Sequence, residues 1–475
     1  MNDTSLAGVP LADDLLANDE VRSNLALLES WIAAQVEHRA LPSLAVGIVY
    51  DQNLIWTRGF GFADVAAQTA ATQDTVYRIA SLTKLFTSTA IMQLRDDGLL
   101  QLDDPVEKHL DWFQVQNPYD DAPVVTIRHL LTHAAGLPRE AAFPYWSDRK
   151  FPTIEEVRQA LPSQSLVQMP GTQWKYSNLG LSLAGAIVAA VAGTSYADYI
   201  AANILKPLGM ASTYVDVSPD VPNAATGYGA RKPDGSRDVV PFTDCKGIAP
   251  AANMASTVAD LAQFAMLQMR GGPRQGAQVL KGASIREMHQ MHYLHPGWQT
   301  GRGLGWHLWR LNGKTLVGHG GALEGFRTDV QICTEDKVAA VVLSNSHDAV
   351  PVYYMEKIFK WVVPALVKAA NPPSPAVAPD AWHRYVGRYH NTWTTNVQVL
   401  VYNNKLVVIY PEGDDPMAYH VVLTPVDDHR FRIEGGDPGG APGELAWFET
   451  DDAGKVTRLN MGNNFYEPYA ETGNA

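Results

Sequence analysis

The spacing of hydrophobic positions in the first sixty residues predicts one helix and two strands. Apolar side chains recur at helical spacing over residues 19–38. Two strand-like runs follow at 43–50 and 54–62, joined by the turn Asp51-Gln52-Asn53. We therefore expect a helix followed by a β-hairpin at this end of the chain.

A similar pattern in the opposite order occurs before residue 370. Strand-like runs at 315–319, 328–334 and 338–344 precede a helical pattern over 352–368. The two ends can pair as one antiparallel sheet that carries the terminal helices on one face, with the largely helical middle as a second lobe. We expect an α/β (α+β) catalytic domain of this kind over residues 21–370, preceded by a solvated tail over 1–20.

The composition changes after residue 370. Four of the ten residues at 371–380 are proline, which fixes φ and removes amide donors, so this stretch is interpreted as an extended linker. Short runs rich in valine, tyrosine and isoleucine follow, separated by turn signals, at 397–401, 405–410, 420–423 and 430–434. They predict a small antiparallel β domain, a barrel or a sandwich, over 381–475.

The composition of the chain excludes several classes of function. Hydrophobic residues make up 46% of the chain and charged residues 18%, which is typical of a globular protein, and the net charge of −13 argues against nucleic acid or an anionic membrane surface as a partner. The first thirty residues lack the basic and apolar regions of a secretory signal, so we expect a cytoplasmic location, or a periplasmic one if a signal was removed. Neither Cys245 nor Cys333 stands in a metal-ligand spacing, and no metal or cofactor is expected.

The first candidate for chemistry is Ser81-Leu82-Thr83-Lys84, at the start of a helical pattern that ends near Gly98. A lysine three residues after a serine lies one helical turn on, on the same side. A buried amine with a lowered pKa can accept the hydroxyl proton and make the oxygen nucleophilic. By itself the pattern fits a helix cap and a surface lysine equally well.

Two further segments carry suitable groups. Tyr176-Ser177-Asn178 precedes an apolar helical stretch, where a phenol can relay a proton and an amide can hold a substrate carbonyl or the lysine. His319-Gly320-Gly321-Ala322 ends a strand-like run in which backbone amides can approach a ligand closely. The Ser81 and Ala322 amides together form a candidate oxyanion site.

These three motifs occur in the order Ser-x-x-Lys, Tyr-x-Asn and His-x-Gly, each at an expected element boundary. This order resembles the serine β-lactamase and penicillin-binding-protein family, and within it the branch of class C β-lactamases, D-alanyl-D-alanine carboxypeptidases, D-aminopeptidases and family VIII esterases. Residues 130–138, 254–261 and 341–346 also resemble family segments. The β domain resembles the lipocalin-like C-terminal domain of some peptidases of this branch.

The resemblance implies a β-lactamase-like transpeptidase fold with Ser81 as the nucleophile, Lys84 as its base or hydrogen-bond partner and Tyr176 as the proton relay. Whether Lys84 or Tyr176 takes the first proton stays open. Asn178, His319, Gly320, Gly321 and Ala322 would line the pocket.

His319-Gly320-Gly321 stands where many relatives have Lys-Thr-Gly, so an imidazole replaces a permanent cation that can hold a substrate carboxylate. Strong β-lactam hydrolysis is therefore not expected. The resemblance, including that of the β domain, implies a serine peptidase or amidase of the D-aminopeptidase or carboxypeptidase type. Its substrate would be a small molecule or short peptide, and homo-oligomers are possible. The alternatives are a carboxylesterase, a weak β-lactamase and a non-catalytic binding protein.

Overall fold

The computed structural model describes residues 12–141, 145–272, 276–371, 379–393, 396–412, 414–437 and 440–469. The chain divides into two compact units, Met1–Asn371 and Pro372–Ala475. The predicted linker falls for the most part on 372–378, outside the described residues, as do residues 1–11 of the predicted tail.

The first unit contains all the α-helices of the described chain. They are α1 Ala12–Ala17, α2 Asp19–His38, α3 Thr83–Asp96, α4 Val106–His109, α5 Ile127–Leu131, α6 Tyr145–Asp148, α7 Ile154–Ala160, α8 Asn178–Ala192, α9 Tyr196–Ile200, α10 Ala249–Ala252, α11 Val258–Gln268, α12 Gly282–Met288, α13 Pro351–Lys357 and α14 Val363–Ala370.

Its strands are β1 Ser43–Tyr50, β2 Asn53–Asp64, β3 Thr69–Ala70, β4 Tyr77–Arg78, β5 Ala255–Ser256, β6 Tyr293–Leu294, β7 Thr300–Arg302, β8 His307–Leu311, β9 Lys314–Leu323, β10 Phe326–Cys333 and β11 Val338–Ser344. Nine of them form one sheet in the order β3-β2-β1-β11-β10-β9-β8-β7-β6, while β4 pairs with β5. The antiparallel pairing of β1 with β11 joins the two ends of the unit, as the sequence predicts.

Both faces of this sheet are covered. Along β1, Leu44, Val46 and Ile48 pack in one hydrophobic cluster, and Ala45 and Val49 pack in another. The first cluster lies among α1, α2, α13 and α14, and the second among the helices of the middle lobe. Because successive side chains of a strand point to opposite faces, a strand buried on both faces consists almost entirely of apolar residues.

The amino-terminal segment differs from the predicted solvated tail. Residues 12–17 form α1, and its Leu15 is only 1% exposed. Leu15 packs in the same cluster as Val21 and Leu25 of α2. The helix α2 begins at the cap Asn18, whose side chain accepts the amide hydrogens of Glu20 and Val21. Burial of Leu15 is the physical reason that this segment does not extend into solvent.

The helix α3 lies in the middle of the unit. The sequence predicts one buried face, but every residue from Thr83 to Leu94 is buried. Two of its threonine side chains are satisfied internally: Thr89 Oγ1 donates to the Leu85 carbonyl at 2.8 Å, and Thr87 Oγ1 donates to the Pro250 carbonyl at 2.6 Å. The helix α3 is therefore enclosed by the rest of the unit on all sides.

The second unit is a closed barrel of eight antiparallel strands. They are β12 Gly387–His390, β13 Val397–Tyr402, β14 Lys405–Ile409, β15 Val421–Pro425, β16 Arg430–Gly435, β17 Leu445–Thr450, β18 Val456–Met461 and β19 Asn464–Pro468. Side chains fill its interior, and Tyr385 stacks on Phe448 with 4.2 Å between the ring centroids. The barrel therefore has a packed core, which agrees with the small all-β domain predicted from the sequence.

Among the described residues, no single helix is both long and apolar enough to cross a bilayer; α8 and the segment that ends at Leu205 meet the criteria only together, as a pair bent by 79°.

Candidate active site

Ser81 lies on a tight turn between β4 and α3. Residues Ala80–Leu82 form a 3₁₀ turn, and Ala80 has φ +50, in the left-handed region that non-glycine residues rarely adopt. Thr83 Oγ1 donates to the Ala80 carbonyl at 2.6 Å, and Thr328 Oγ1 donates to the Ile79 carbonyl at 3.0 Å. These contacts from α3 and β10 hold the turn, which directs Ser81 into a cleft.

Lys84 follows one helical turn later and is 0% exposed. Its Nζ lies 3.0 Å from Ser81 Oγ, 2.8 Å from Asn178 Oδ1 and 2.7 Å from the Ala251 carbonyl oxygen. The amide and carbonyl oxygens accept hydrogen bonds, so both require a hydrogen on Nζ. A neutral amine has two hydrogens for these two acceptors and a lone pair left for the Ser81 hydroxyl hydrogen.

Burial lowers the pKa of Lys84, while the neighbouring Tyr176 and Glu140 oppose that change. Desolvation disfavours the ammonium form because a charge loses its water shell in the protein interior. The neutral amine is therefore more accessible here than on the surface, and it is the form that can accept a proton from Ser81.

Tyr176 brings a second proton-transfer group to the same oxygen. Its hydroxyl lies 2.9 Å from Ser81 Oγ, and the Lys84 Nζ lies 4.9 Å from the centre of its ring. Tyr176 stands two residues before α8, whose cap Ser177 accepts the Gly180 amide hydrogen at 2.9 Å. Ser81 Oγ is thus within hydrogen-bonding distance of both an amine and a phenol.

His133 fixes the position of Tyr176 through the backbone on either side of it. The Lys175 amide donates to the His133 carbonyl at 2.8 Å, and the Ser177 amide donates to His133 Nδ1 at 3.1 Å. The His133 ring also packs on the Tyr176 ring at 4.5 Å between centroids. Because Nδ1 accepts, the hydrogen of the neutral ring is on Nε2. Burial lowers the pKa of His133 well below its usual value, so this form is the stable one.

Asn178 is oriented by Glu140. The Asn178 Nδ2 donates to Glu140 Oε1, and the Trp146 Nε1 donates to the same oxygen at 2.9 Å. This contact turns the amide oxygen of Asn178 towards Lys84. A hydrogen-bonded chain therefore leads from Glu140 through Asn178 and Lys84 to Ser81.

The end of β9 borders the opposite side of the cleft. The strand β8 pairs with β9 only from Lys314 to Gly318, so the edge of the next residues, His319 to Leu323, is not paired with β8. His319 and Gly321 are buried, whereas Gly320 and Ala322 are exposed. A Cβ on Gly321 would lie 2.3 Å from the Ile79 carbonyl oxygen, so only glycine allows β9 to approach the turn at Ser81 this closely.

His319 is a neutral imidazole in this site. Its ring Nδ1 lies 2.6 Å from the Gly320 carbonyl oxygen, which only accepts, so the hydrogen is on Nδ1. Burial and the nearby Lys84 charge lower the pKa of His319 to about 3. Its Nε2 is buried and has no hydrogen-bond partner among the described residues. The imidazole that stands here in place of a permanent cation is therefore uncharged at neutral pH.

The cleft that contains these groups has a volume of about 1020 Å³. It is lined by all eight predicted site residues except Lys84, which lies beneath Ser81. Among the described residues, no group of three or more histidine, cysteine, aspartate or glutamate side chains could hold a metal ion. The groups within hydrogen-bonding distance of the Ser81 hydroxyl are the Lys84 amine and the Tyr176 phenol.

The sequence analysis missed three groups that the fold adds to this site. Glu140 and His133 support Asn178 and Tyr176, and Arg302 of β7 lines the cleft. His133 stands in the segment 130–138 that resembles the family, which was the available signal for it. Glu140 and Arg302 have no local pattern, because the contact of Glu140 with Asn178 and that of Arg302 with Trp174 join residues more than thirty positions apart.

Comparisons with known proteins identify a family and several relatives. The profile of the Beta-lactamase family matches residues 28–357. Putative beta-lactamase-like 1 of Homo sapiens is 27% identical over 397 residues, which cover 80% of this chain and 76% of the human protein. Protein flp of Staphylococcus aureus strain MW2 is 28% identical over 325 residues, which cover 67% of this chain and 62% of that protein.

Two solved structures share the fold. An octameric penicillin-binding protein homologue from Pyrococcus abyssi aligns with a TM-score of 0.64 and 26% identity, covering 93% of this chain and 99% of that one. A beta-lactamase/D-alanine carboxypeptidase from Pseudomonas syringae aligns with a TM-score of 0.61 and 18% identity, covering 71% of this chain and 99% of that one. The latter likeness shows the fold alone.

Proposed function

Because the chain belongs to the Beta-lactamase family, we propose that it is a serine hydrolase that forms an acyl-enzyme on Ser81. The observation that carries this proposal is the position of Ser81 Oγ, with Lys84 Nζ at 3.0 Å and the Tyr176 hydroxyl at 2.9 Å. An alcohol in contact with a desolvated amine and a phenol has both a route for its own proton and a donor for a leaving group.

The reaction follows from these contacts. Ser81 Oγ attacks the substrate carbonyl carbon. The hydroxyl proton of Ser81 passes to either Lys84 or Tyr176. The amides of Ser81 and Ala322 donate to the oxyanion of the tetrahedral intermediate. Tyr176 protonates the leaving amine or alcohol as the bond between it and the carbonyl carbon breaks. Water then hydrolyses the ester on Ser81, which regains its hydrogen through the same pair.

Peptide or amide bonds are the proposed substrates, as in the D-aminopeptidase and carboxypeptidase type. Support comes from His319, which leaves this end of β9 without the permanent cation of a Lys-Thr-Gly motif. A carboxylesterase of the family VIII type is the second candidate, because the same groups cleave esters. The presence of the neutral imidazole disfavours strong β-lactamase activity.

Turnover of p-nitrophenyl esters, compared with that of D- and L-amino acid amides and short peptides, tests the proposal. We expect hydrolysis of amides, and Ser81→Ala should lower kcat by at least about 10³-fold while the melting temperature is preserved. Preference for esters over every amide would favour the carboxylesterase. Near-normal turnover by Ser81→Ala, or no turnover of any of these compounds, would contradict the acyl-enzyme proposal.

Self-association is a further part of the proposal, because the similar Pyrococcus abyssi homologue is octameric. Light scattering on the purified full chain measures its mass, and 51.9 kDa would be that of a monomer.

A further inference from the structure

A second cavity lies beside β4, the short strand that leads to Ser81. It has a volume of about 270 Å³. Its walls come from the strands β4 and β5, two loop segments at 217–227 and 239–243, and the turn between β9 and β10. Among the described residues, it shares only Leu323 and Glu324 with the catalytic cleft. The cavity is therefore a site of its own within the first unit.

Apolar side chains form most of the wall of this cavity. Val239 is 61% exposed and Phe242 is 42% exposed, so the loop at 239–243 presents apolar groups both to the cavity and to solvent. Exposed apolar side chains that border an apolar cavity indicate a binding site for an apolar group. The apolar lining residues that are buried are Val76, Val221, Ala225, Ala255, Leu323 and Phe326.

Arg78 of β4 adds a buried positive charge to this wall. The residue is only 7% exposed, and burial lowers the pKa of its guanidinium. It donates to the Thr243 carbonyl at 2.7 Å, to Asn253 Oδ1 at 2.9 Å and to Cys245 Sγ at 3.9 Å. Burial raises the pKa of the Cys245 thiol to about 11, so none of these three partners carries a negative charge at neutral pH.

The charge of Arg78 has no counter-ion within the part of the chain that the structure describes. Its Nε is buried and has no hydrogen-bond partner there. The charge of Asp244 raises the pKa of Arg78, but that carboxylate accepts the Lys246 amide hydrogen at 2.9 Å and forms no hydrogen bond with the guanidinium. Arginine stays protonated in proteins, and a buried charge is costly unless a partner compensates it. An anion in the cavity would supply that partner.

Glu324 is the one acidic group among the described residues that line the cavity, and it is paired with Arg149. Two hydrogen bonds of 2.7 Å join the two side chains. The pairing lowers the pKa of Glu324, so its carboxylate is charged at neutral pH and already neutralised by Arg149. Arg78 therefore remains the uncompensated charge on the wall.

The guanidinium of Arg78 is fixed in position by the fold. Its Cζ lies 5.2 Å from the centre of the Phe242 ring, a cation–π contact. The strand that carries it is held by the Ile79 amide, which donates to the Met254 carbonyl at 2.9 Å. A binding group that is already in place does not have to be ordered when the ligand binds, which favours affinity.

We propose that this cavity binds a small carboxylic acid with an apolar tail, with its carboxylate on Arg78 and its tail between Val221 and Phe326. The volume limits the ligand to a small molecule. A carboxylate matches the single uncompensated charge, whereas a phosphate dianion would bury a second charge without a partner. The proposal does not depend on the chemistry of Ser81.

Titration of the full chain with hexanoate, followed by ligand-observed NMR, tests the proposal. Hexanamide and acetate are the comparison ligands. We expect hexanoate to bind at least about tenfold more tightly than hexanamide, because the amide loses the charge-assisted hydrogen bond. Acetate should bind at least about tenfold more weakly than hexanoate, because it lacks the methylene groups that the cavity would remove from water.

Two variants on different walls locate the bound acid. Val221→Phe fills the cavity and should abolish the binding of hexanoate and hexanamide alike. Val124→Phe, at a 55% exposed valine outside the cavity, is its control and should bind both as wild type does. Arg78→Gln should remove the preference for the acid and leave the binding of the amide, whereas Arg286→Gln, at an exposed position of α12, should keep the preference.

The melting temperature shows which variants are folded, and Val221→Phe provides the test if Arg78→Gln is not. Equal binding of hexanoate and hexanamide by wild type, or no binding of hexanoate, would overturn the proposal. Unchanged hexanoate binding in folded Val221→Phe would also overturn it, because the acid would then lie elsewhere, such as in the catalytic cleft. These measurements need no turnover, so their outcome is independent of the acyl-enzyme proposal.

Discussion

Glu140 accepts a hydrogen bond from the side-chain amide of Asn178, and this contact decides which atom of Asn178 faces Lys84. If the amide turned over, its nitrogen would meet the Lys84 amine, and two donors would face each other. Glu140 is thus connected to the nucleophile through geometry and, because it raises the pKa of Lys84, through charge as well.

Two substitutions separate these effects of Glu140. Glu140→Gln keeps an acceptor for Asn178 but removes a negative charge that raises the pKa of Lys84. Activity that needs the neutral amine rises with pH through the pKa of Lys84, so the acidic limb of the kcat/KM profile should move to lower pH. Glu140→Ala loses the acceptor, and kcat should fall about tenfold or more.

The pH dependence of kcat/KM for both variants checks this prediction, with Glu155→Gln, on the exposed face of α7, as the control. An acidic limb that stays in place, or moves to higher pH, in Glu140→Gln would contradict the electrostatic link.

The adjacent glycines of β9 provide a test of the close approach between β9 and the turn at Ser81. A Cβ on Gly321 would lie 2.3 Å from the Ile79 carbonyl oxygen and 2.1 Å from Thr328 Oγ1, whereas a Cβ on Gly320 has no atom nearer than 3.7 Å. Gly321→Ala should lower the free energy of unfolding by about 1–3 kcal/mol. It should also lower kcat by about 10²-fold, because a shift of about 1 Å misplaces the oxyanion donors.

Gly320→Ala is the matched control, and it should fold with nearly unchanged stability. Denaturant unfolding and steady-state kinetics measure both variants. Equal effects of the two substitutions would show that the approach of β9 to Ile79 is not the constraint.

The buried neutral state of His319 predicts a dependence of stability on pH. The unfolded chain takes up a proton at this residue near pH 6.5, whereas the folded protein does so only near pH 3. Unfolding therefore takes up a proton between these values, and stability falls as the pH is lowered from about 6.5 towards about 3. The contribution of one such group is about 1.4 kcal/mol per pH unit.

His319→Gln should reduce the change of the free energy of unfolding with pH by up to about 1.4 kcal/mol per pH unit. Denaturant unfolding at a series of pH values between about 4 and 6 measures this change. His38→Gln, at the exposed end of α2, should leave the slope as it is. If His319→Gln leaves the slope unchanged as well, the imidazole is not held neutral by the fold.

The elements that the sequence predicts best are those with strong local signals. The strands β1 and β11 and the helix α2 have the predicted bounds, because strands buried on both faces read as continuous apolar runs and α2 has a clear helical period. The strands β6, β7 and β8 were missed. They have two, three and five residues, and polar residues such as Arg302 and His307 interrupt their apolar pattern.

In the site, too, the contacts between residues close in sequence were predictable and those between distant segments were not. The spacing of Ser81 and Lys84 across the start of α3 is local, so the sequence alone suggests their contact, although the pattern by itself fits a helix cap and a surface lysine equally well. The prediction that Tyr176 lies near Ser81 depended on the order of the family motifs. The roles of Glu140, His133 and Arg302 depend on contacts between distant segments, which no local period records.

The most direct test of the account is the identity of the residue that a fluorophosphonate probe modifies in the intact protein, found by peptide mapping with mass spectrometry. The account predicts one adduct, on Ser81, that is absent in Ser81→Ala and forms far more slowly in Lys84→Ala, because the buried amine activates that hydroxyl. An adduct on a different residue, or labelling of Lys84→Ala at the wild-type rate, would contradict it.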